Sequence, residues 1–303
     1  MKRVKHLLSV NDLSVKEIEA IFRKTDHLKK PKPLLKNKTL AMLFAKPSTR
    51  TRVSFEVAMT QLGGHAIDLD FGDLQVKRGE TIADTARVLS RYVDGIMARL
   101  FAHKDIIELA NNSRVPVING LTDLLHPCQA LADIYTIKKR FRRLRGLKLV
   151  YLGDGSNNVT HSLMLICSKL GIDMTVSCPK KYFPDMDIAK QTLENCKKSG
   201  CDFKVVTSPK EAAKDADVLY TDSWISMGEE GEKEERIGVF APYQLDSELV
   251  KLAKKSCIVM HCLPAHRGYE IKSEVMDGKK SVIFDQAENR LHTERGILAL
   301  LLR

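Results

Sequence analysis

The run Lys46-Pro47-Ser48-Thr49-Arg50-Thr51-Arg52 gathers three hydroxyls and two guanidinia into seven residues. Such groups hold an anion through short, charge-assisted hydrogen bonds, and a phosphate has enough oxygens to use several at once. An apolar stretch of strand length, residues 39–44, precedes the run, and Phe55, Met59 and Leu62 follow at the spacing of one helix face. The hydroxyls therefore sit at a strand-to-helix junction, where unpaired amide groups and the helix dipole favour negative charge. In a regular helix Arg50 and Arg52 point about 200° apart, so only one of them faces the ligand. We assign that role to Arg50 and expect Arg52 to be solvated and paired with Glu56 one turn on. The spacing of a Walker-type phosphate loop is absent, which argues against a nucleoside triphosphate.

Other polar groups follow apolar runs in the same way. Arg99 closes the run 95–98, and His126-Pro127-Cys128-Gln129 opens a helix after another. In the second half Asn158, Asp222 and His261-Cys262 come just after strand-like segments. Taken singly, each has an ordinary explanation: a surface ion pair, a turn residue, an inert core thiol. Together they lie where doubly wound sheets bind ligands, beyond the carboxyl ends of the strands. The first half offers cations and hydroxyls, the second a carboxylate, an amide and a thiol. Residues 153–158, Gly-Asp-Gly-Ser-Asn-Asn, imitate a dinucleotide-binding loop but lack its third glycine, and the next strand does not end on an acidic residue. Asp154 and the two asparagines suit a small polar ligand better. His261, Cys262 and His266 are poorly spaced for zinc, so neither metal nor cofactor is expected.

Positioning these groups requires alternating strands and helices, hence parallel sheets covered on both faces. Helical spacing marks residues 14–28, and the polar stretch 70–80 reads as a mobile loop that completes a site. Strands are expected over 147–152, 172–176, 203–206, 218–220, 258–260 and 282–284, and a last helix over 286–302. Glu294-Arg295-Gly296 predicts a break in that helix. The expected fold is α/β, with two doubly wound parallel-sheet domains and the active site in the cleft between them. The first domain takes residues 1–133 together with the last helix, about 286–303; the second takes 134–285.

With 303 residues, 44% hydrophobic and 29% charged, the chain is long enough for two cores of ordinary size. No run reaches the ~18 apolar residues of a membrane span, and the basic amino terminus is interrupted by Asn11-Asp12 before signal-peptide length. Seven scattered cysteines without a Cys-x-x-Cys pair suggest free thiols in a reducing, cytoplasmic setting. The net charge of +11 and the basic run at residues 138–145 raise nucleic acid as a partner. No recognition module accompanies the run, and it closes a helix, where cations complement the dipole. A solvated helix end, or a funnel for an anionic metabolite, is the better account.

Ser48-Thr49-Arg50-Thr51-Arg52, His126-Pro127-Cys128-Gln129, Asp154 to Asn158, the segment Asp222 to Gly228, His261-Cys262-Leu263-Pro264 and Glu288-Asn289-Arg290 stand in one order along the chain. In that set the sequence resembles the ornithine carbamoyltransferases from its first helix to its last. The resemblance implies transfer of a carbamoyl group from carbamoyl phosphate to the δ-amine of L-ornithine. It implies that Ser48, Thr49, Arg50 and Thr51 bind the phosphate, with Gln75 coming from a neighbouring subunit. Arg99, His126 and Gln129 would hold and polarise the carbamoyl group, and Pro127, Cys128, Cys262, Leu263 and Arg290 would complete that pocket. Asn158, Asp222, Ser226 and Met227 would contact ornithine, Asp222 taking the amine. Arg99, His126, Asp222 and Cys262 form the implied catalytic set. The proton lost by the amine could pass through Cys262 and Asp222 or reach the substrate's own phosphate. A homotrimer or multiple of trimers, without cofactor, nucleic acid or membrane, is also implied. Putrescine, an acylated ornithine and aspartate are the rival acceptors within the same chemistry.

Overall fold

The computed structural model describes residues 5–75, 79–225 and 230–302. The chain divides into two compact units, residues 1–135 with 289–303, and residues 136–288. Within the first unit, α1 (Val15–His27) begins at a reciprocal cap. Glu17 donates its amide to the Ser14 hydroxyl at 3.3 Å, and its carboxylate accepts from the Ser14 amide at 2.8 Å. Ile18, Ile21 and Phe22 bury one face of the helix. There follow β1 (Thr39–Phe44), α2 (Thr49–Gln61), β2 (His65–Asp70), α3 (Ile82–Leu89), β3 (Gly95–Arg99), α4 (His103–Asn112) and β4 (Val117–Leu121). The sheet order is β2-β1-β3-β4, all parallel. β1 is buried beyond its first residue and β3 throughout, the reason both read as unbroken apolar runs rather than alternating ones. The order reverses between β1 and β3.

The chain passes into the second unit within α5 (Pro127–Phe141). Here β5 (Lys148–Leu152), α6 (Asn158–Leu170), β6 (Asp173–Ser177), α7 (Met186–Ser199), β7 (Phe203–Val206), α8 (Pro209–Ala213), β8 (Val218–Thr221), α9 (Lys233–Phe240), α10 (Ser247–Leu252), β9 (Ile258–His261) and α11 (Ser273–Met276) build a second parallel sheet. Its order is β7-β6-β5-β8-β9, reversing between β5 and β8. α12 (Ile283–Leu301) returns the chain to the first unit.

Two expectations fail at the carboxyl end. Residues 282–284 do not form a strand: a lone bridge joins Ser281 to Val259, the Val282 amide donates to the Val259 carbonyl at 3.0 Å, and α12 begins at Ile283. Ile283 is buried while Phe284 is 61% exposed, and three apolar residues are too few for sequence to separate a strand from a helix start. Nor does Gly296 break α12. A Cβ there would lie 2.5 Å from the Thr25 hydroxyl and 2.9 Å from the Ile21 carbonyl, so glycine lets α1 approach the continuous helix.

Candidate active site

In the first unit, β1 and β3 pair in register with Phe44 opposite Arg99. The Ser48–Thr51 segment and Arg99 therefore leave the sheet at the same edge, at the point where strand order reverses. Ser48 caps α2, its hydroxyl accepting from the Thr51 amide at 3.3 Å. Arg290 on α12 is buried and ties three helices together. It donates to Gln129 Oε1 at 2.7 Å, to the Thr51 hydroxyl at 3.2 Å, and through Nε and Nη2 to Glu294 Oε1 at 3.0 and 2.8 Å. Gln129 in turn donates to Asp133 at 2.8 Å.

The electrostatics of this group point to an anion. Burial, then Arg290 and Arg50, pushes Arg99 down to about 10. Burial holds His126 well below the usual imidazole range, with Arg290, Arg99 and Arg50 adding to the effect. The imidazole is therefore neutral and keeps one N–H to donate. Arg99 Nε is buried with no hydrogen-bond partner among the described residues. Three guanidinia near enough to oppose one another's charge, with one of their carboxylate partners, Glu294, already engaged, are relieved by a bound anion.

In the second unit the carboxyl ends of β5 and β8 carry the polar groups, again at the reversal of strand order. Asn158 opens α6. Asp222 is 8% exposed and accepts from the Ser223 amide at 2.7 Å. Burial pushes its carboxyl up, against the pull of His261, a hydrogen bond from Cys262 and the Ser223 amide. One ligand atom each of Asp222, His261 and Cys262 lies within 4.8 Å of the others. A metal is a poor fit to this trio, since both His261 ring nitrogens are committed. Nδ1 accepts from the Leu263 amide at 2.8 Å, which leaves Nε2 to donate to buried Glu270 at 3.1 Å. The His261 backbone amide donates to Gln286, which donates to the Tyr220 hydroxyl.

Several expected residues behave differently. Arg52 does not pair with Glu56; its Nε lies 3.2 Å from Asp68 and its guanidinium covers the Phe44 ring, because β2 runs beside β1 and brings Asp68 within reach. Asp154 is not a ligand group. Its Oδ1 accepts from the Ser156 amide and hydroxyl at 2.9 and 2.7 Å, and its Oδ2 is paired with buried Arg236. Gly155 faces the Tyr182 carbonyl, 2.5 Å from where a Cβ would be, so that glycine serves packing. Cys128 turns its thiol to the Asn119 carbonyl at 3.4 Å, and burial pushes it far above the usual thiol range. Gln75 is exposed and makes no side-chain hydrogen bond among the described residues. Ser226 and Met227 lie outside the described residues.

Known proteins match along nearly all of the chain. Residues 5–139 match the aspartate/ornithine carbamoyltransferase carbamoyl-P binding domain, and residues 145–301 the Asp/Orn binding domain of the same family. The chain belongs to the aspartate/ornithine carbamoyltransferase family. Ornithine carbamoyltransferase of Thermococcus kodakarensis is 54% identical over 98% of this chain and 96% of its own. The anabolic ornithine carbamoyltransferase of Pyrococcus furiosus is 54% identical over 98% and 96%. A solved structure of ornithine carbamoyltransferase from P. furiosus superposes with a TM-score of 0.95, covering 98% of this chain and 97% of that one.

Set beside this carbamoyltransferase frame, sequence reasoning overlooked four residues. Glu294 could have been found as the acidic partner one turn beyond Arg290. Arg236 sits in Lys233-Glu234-Glu235-Arg236, which looks like a solvated charge run. Glu270 lies four and nine residues beyond its partners His266 and His261, in a segment without helical spacing to suggest the contact, and Gln286 carries no sequence signal, since its partners His261 and Tyr220 lie across the fold.

Proposed function

We propose that this protein is an ornithine carbamoyltransferase, moving the carbamoyl group of carbamoyl phosphate to the δ-amine of L-ornithine and releasing L-citrulline and phosphate, in the manner of arginine biosynthesis. Ser48, Thr49, Arg50 and Thr51 take the phosphate, as amides and hydroxyls at a helix start would. Arg99, the neutral His126 imidazole and Thr51 face the carbonyl oxygen, on which negative charge grows as the amine attacks. Gln129, with Pro127 and Arg290, shapes that pocket from α5 and α12. In the second unit Asp222 holds the amino group, with Asn158, Ser226 and Met227 for the rest of ornithine and Leu263 as an apolar wall. Only the neutral amine attacks. Asp222 and Cys262 orient it as the C–N bond forms and the C–O bond to phosphate breaks, and the departing phosphate takes up the proton.

The observation that carries the acceptor assignment is the buried Asp222 carboxylate bonded to Cys262 at the end of β8. A carboxylate there favours a cationic amine over aspartate, whose second carboxylate would be repelled. Putrescine lacks the α-carboxylate and would leave donors unpaired, at about 1–3 kcal/mol. Colorimetric citrulline formation with purified protein, beside parallel assays of putrescine, acylated ornithine and aspartate at equal concentration, tests the reading. Ornithine is expected to dominate and aspartate to be inactive; equal turnover of any rival would overturn the assignment.

The assembly we propose is a homotrimer or a multiple of trimers, with Gln75 serving a neighbouring subunit. Its exposure and freedom from side-chain hydrogen bonds among the described residues support that role. Light scattering at assay concentration would reveal a monomer and so refute it. A cytoplasmic location is proposed on two grounds: no described helix is long and apolar enough to cross a membrane, and all seven cysteines are free.

A further inference from the structure

Two cysteines outside the candidate site meet at the end of α7. The helix stops on Gly200, in the left-handed region at φ 74°, whose amide donates to the Cys196 carbonyl at 2.7 Å. In a helix end of this kind the residue after the glycine folds back onto the residue five before it, usually as an apolar contact. The preceding helix ends alike: Gly171 adopts φ 74°, and Ile172 follows it, with Cys167 at the equivalent helix position. At α7 the residue after the glycine is Cys201 instead of an aliphatic one. The cap therefore brings two thiols together, with sulfurs 3.2 Å apart.

A packing contact alone would account for Cys196, which is 7% exposed. It does not require a second sulfur, and Cys201 is partly exposed. Its thiol lies 3.6 Å from the Ser168 carbonyl and accepts from the Ser199 hydroxyl at 3.3 Å. Closing the pair to a bond length of ~2.05 Å needs about 1 Å of movement.

We propose that Cys196 and Cys201 are a redox-modification site, oxidised to a reversible disulfide by a low-molecular-weight disulfide of the glutathione class. The accessible Cys201 attacks first as thiolate: its sulfur bonds to one sulfur of the small disulfide and expels the other, which takes up a proton. Cys196 then gives up its proton and attacks the Cys201 sulfur of the mixed disulfide, expelling the second small thiol. Two protein thiols are oxidised by two electrons, and one small disulfide is reduced to two thiols. Burial and the neighbouring Cys201 push the Cys196 thiol up to about 12, so Cys196 is the resolving group, acting by proximity rather than acidity.

The test uses the reduced full-length chain, incubated with oxidised glutathione, alkylated and mapped by mass spectrometry. The expected result is loss of two of the seven thiols, a 196–201 linkage two hydrogens lighter than the reduced peptide, and no retained glutathione. Cys201→Ser should abolish the loss, and Cys196→Ser should trap glutathione on Cys201. Seven surviving thiols, glutathione retained on Cys201 of the unaltered chain, or the same thiol loss in Cys201→Ser would each overturn the proposal. The unaltered chain decides the matter even if a variant folds poorly.

Discussion

Asp222, the proposed amine ligand, opposes its own fold. Its carboxyl is pushed up in the folded state, chiefly by burial, so the folded form holds its proton more tightly than an unfolded carboxyl near ~3.9. The stability linked to this group is fully present below ~3.9 and is lost as pH rises through the folded value; at neutrality the buried charge is a net cost. Asp222→Asn is therefore expected to lose turnover yet unfold at a higher temperature at pH 7, with the gain shrinking towards acid. Scanning calorimetry of both proteins at two pH values checks this, and a less stable variant at pH 7 would contradict the account. A second residue-scale expectation separates the substrates. Ornithine's amine, like that of lysine near ~10.4, is almost wholly protonated at neutrality, so kcat should climb towards alkaline pH. Affinity for carbamoyl phosphate should stay level over neutral and mildly alkaline pH, because His126 is already neutral, and weaken only as Arg99 titrates near about 10. Paired turnover and calorimetric pH profiles that rise together would sink that division of labour. Residues at strand ends were legible because chemistry and position coincided in the sequence. Cys128 and Asp154 misled because side-chain direction depends on partners elsewhere, Asn119 and Arg236.

At the level of elements, the alternation of strands and helices was readable from apolar periodicity. Short runs and close approaches were not, as residues 282–284 and Gly296 illustrate. The least visible device is Arg236 on α9. Its Nε donates to the Trp224 carbonyl at 2.6 Å, two residues beyond Asp222, while Nη2 pairs with Asp154 beyond β5. One guanidinium, flanked by the Tyr182 and Phe240 rings at 5.0 and 5.3 Å, thus joins the two strand-end segments that carry Asp222 and Asn158. Arg236 and Asp154 are each 3% exposed, so removing one partner strands a buried charge, at about 3–5 kcal/mol. Arg236→Met should lower denaturant stability by that amount and raise KM for ornithine, with carbamoyl phosphate affinity little changed because the expected phosphate ligands Ser48 to Thr51, and Arg99 and His126, lie in the other unit. Adding Asp154→Asn should restore most of the stability. If the single variant is as stable as the parent, or the double variant is no better than the single, the pair does not anchor these segments.

Across the whole molecule the net charge of +11 acts on every charged partner. The basic run from residue 138 proved to be the exposed end of α5 and the segment that follows it, with Lys139 and Arg140 on the helix and Arg142, Arg143 and Arg145 beyond it all in solvent. Such charges do little for folding but raise the local concentration of anions, an effect that salt screens over ~10 Å at 0.1 M. Carbamoyl phosphate is an anion and ornithine carries a net positive charge, so the field should help the first and hinder the second. Raising salt from ~0.01 to ~0.5 M is expected to lower kcat/KM for carbamoyl phosphate several-fold, to leave kcat nearly constant, and to leave kcat/KM for ornithine level or slightly raised. A polynucleotide partner would respond otherwise, its affinity falling by orders of magnitude over the same range as counterions are released. Initial rates against each substrate at several salt concentrations, beside filter binding of a random-sequence duplex, distinguish these cases. Equal salt dependence for both substrates would remove long-range steering from the account. A tightly retained duplex with a steep salt slope would make the basic face a nucleic-acid surface.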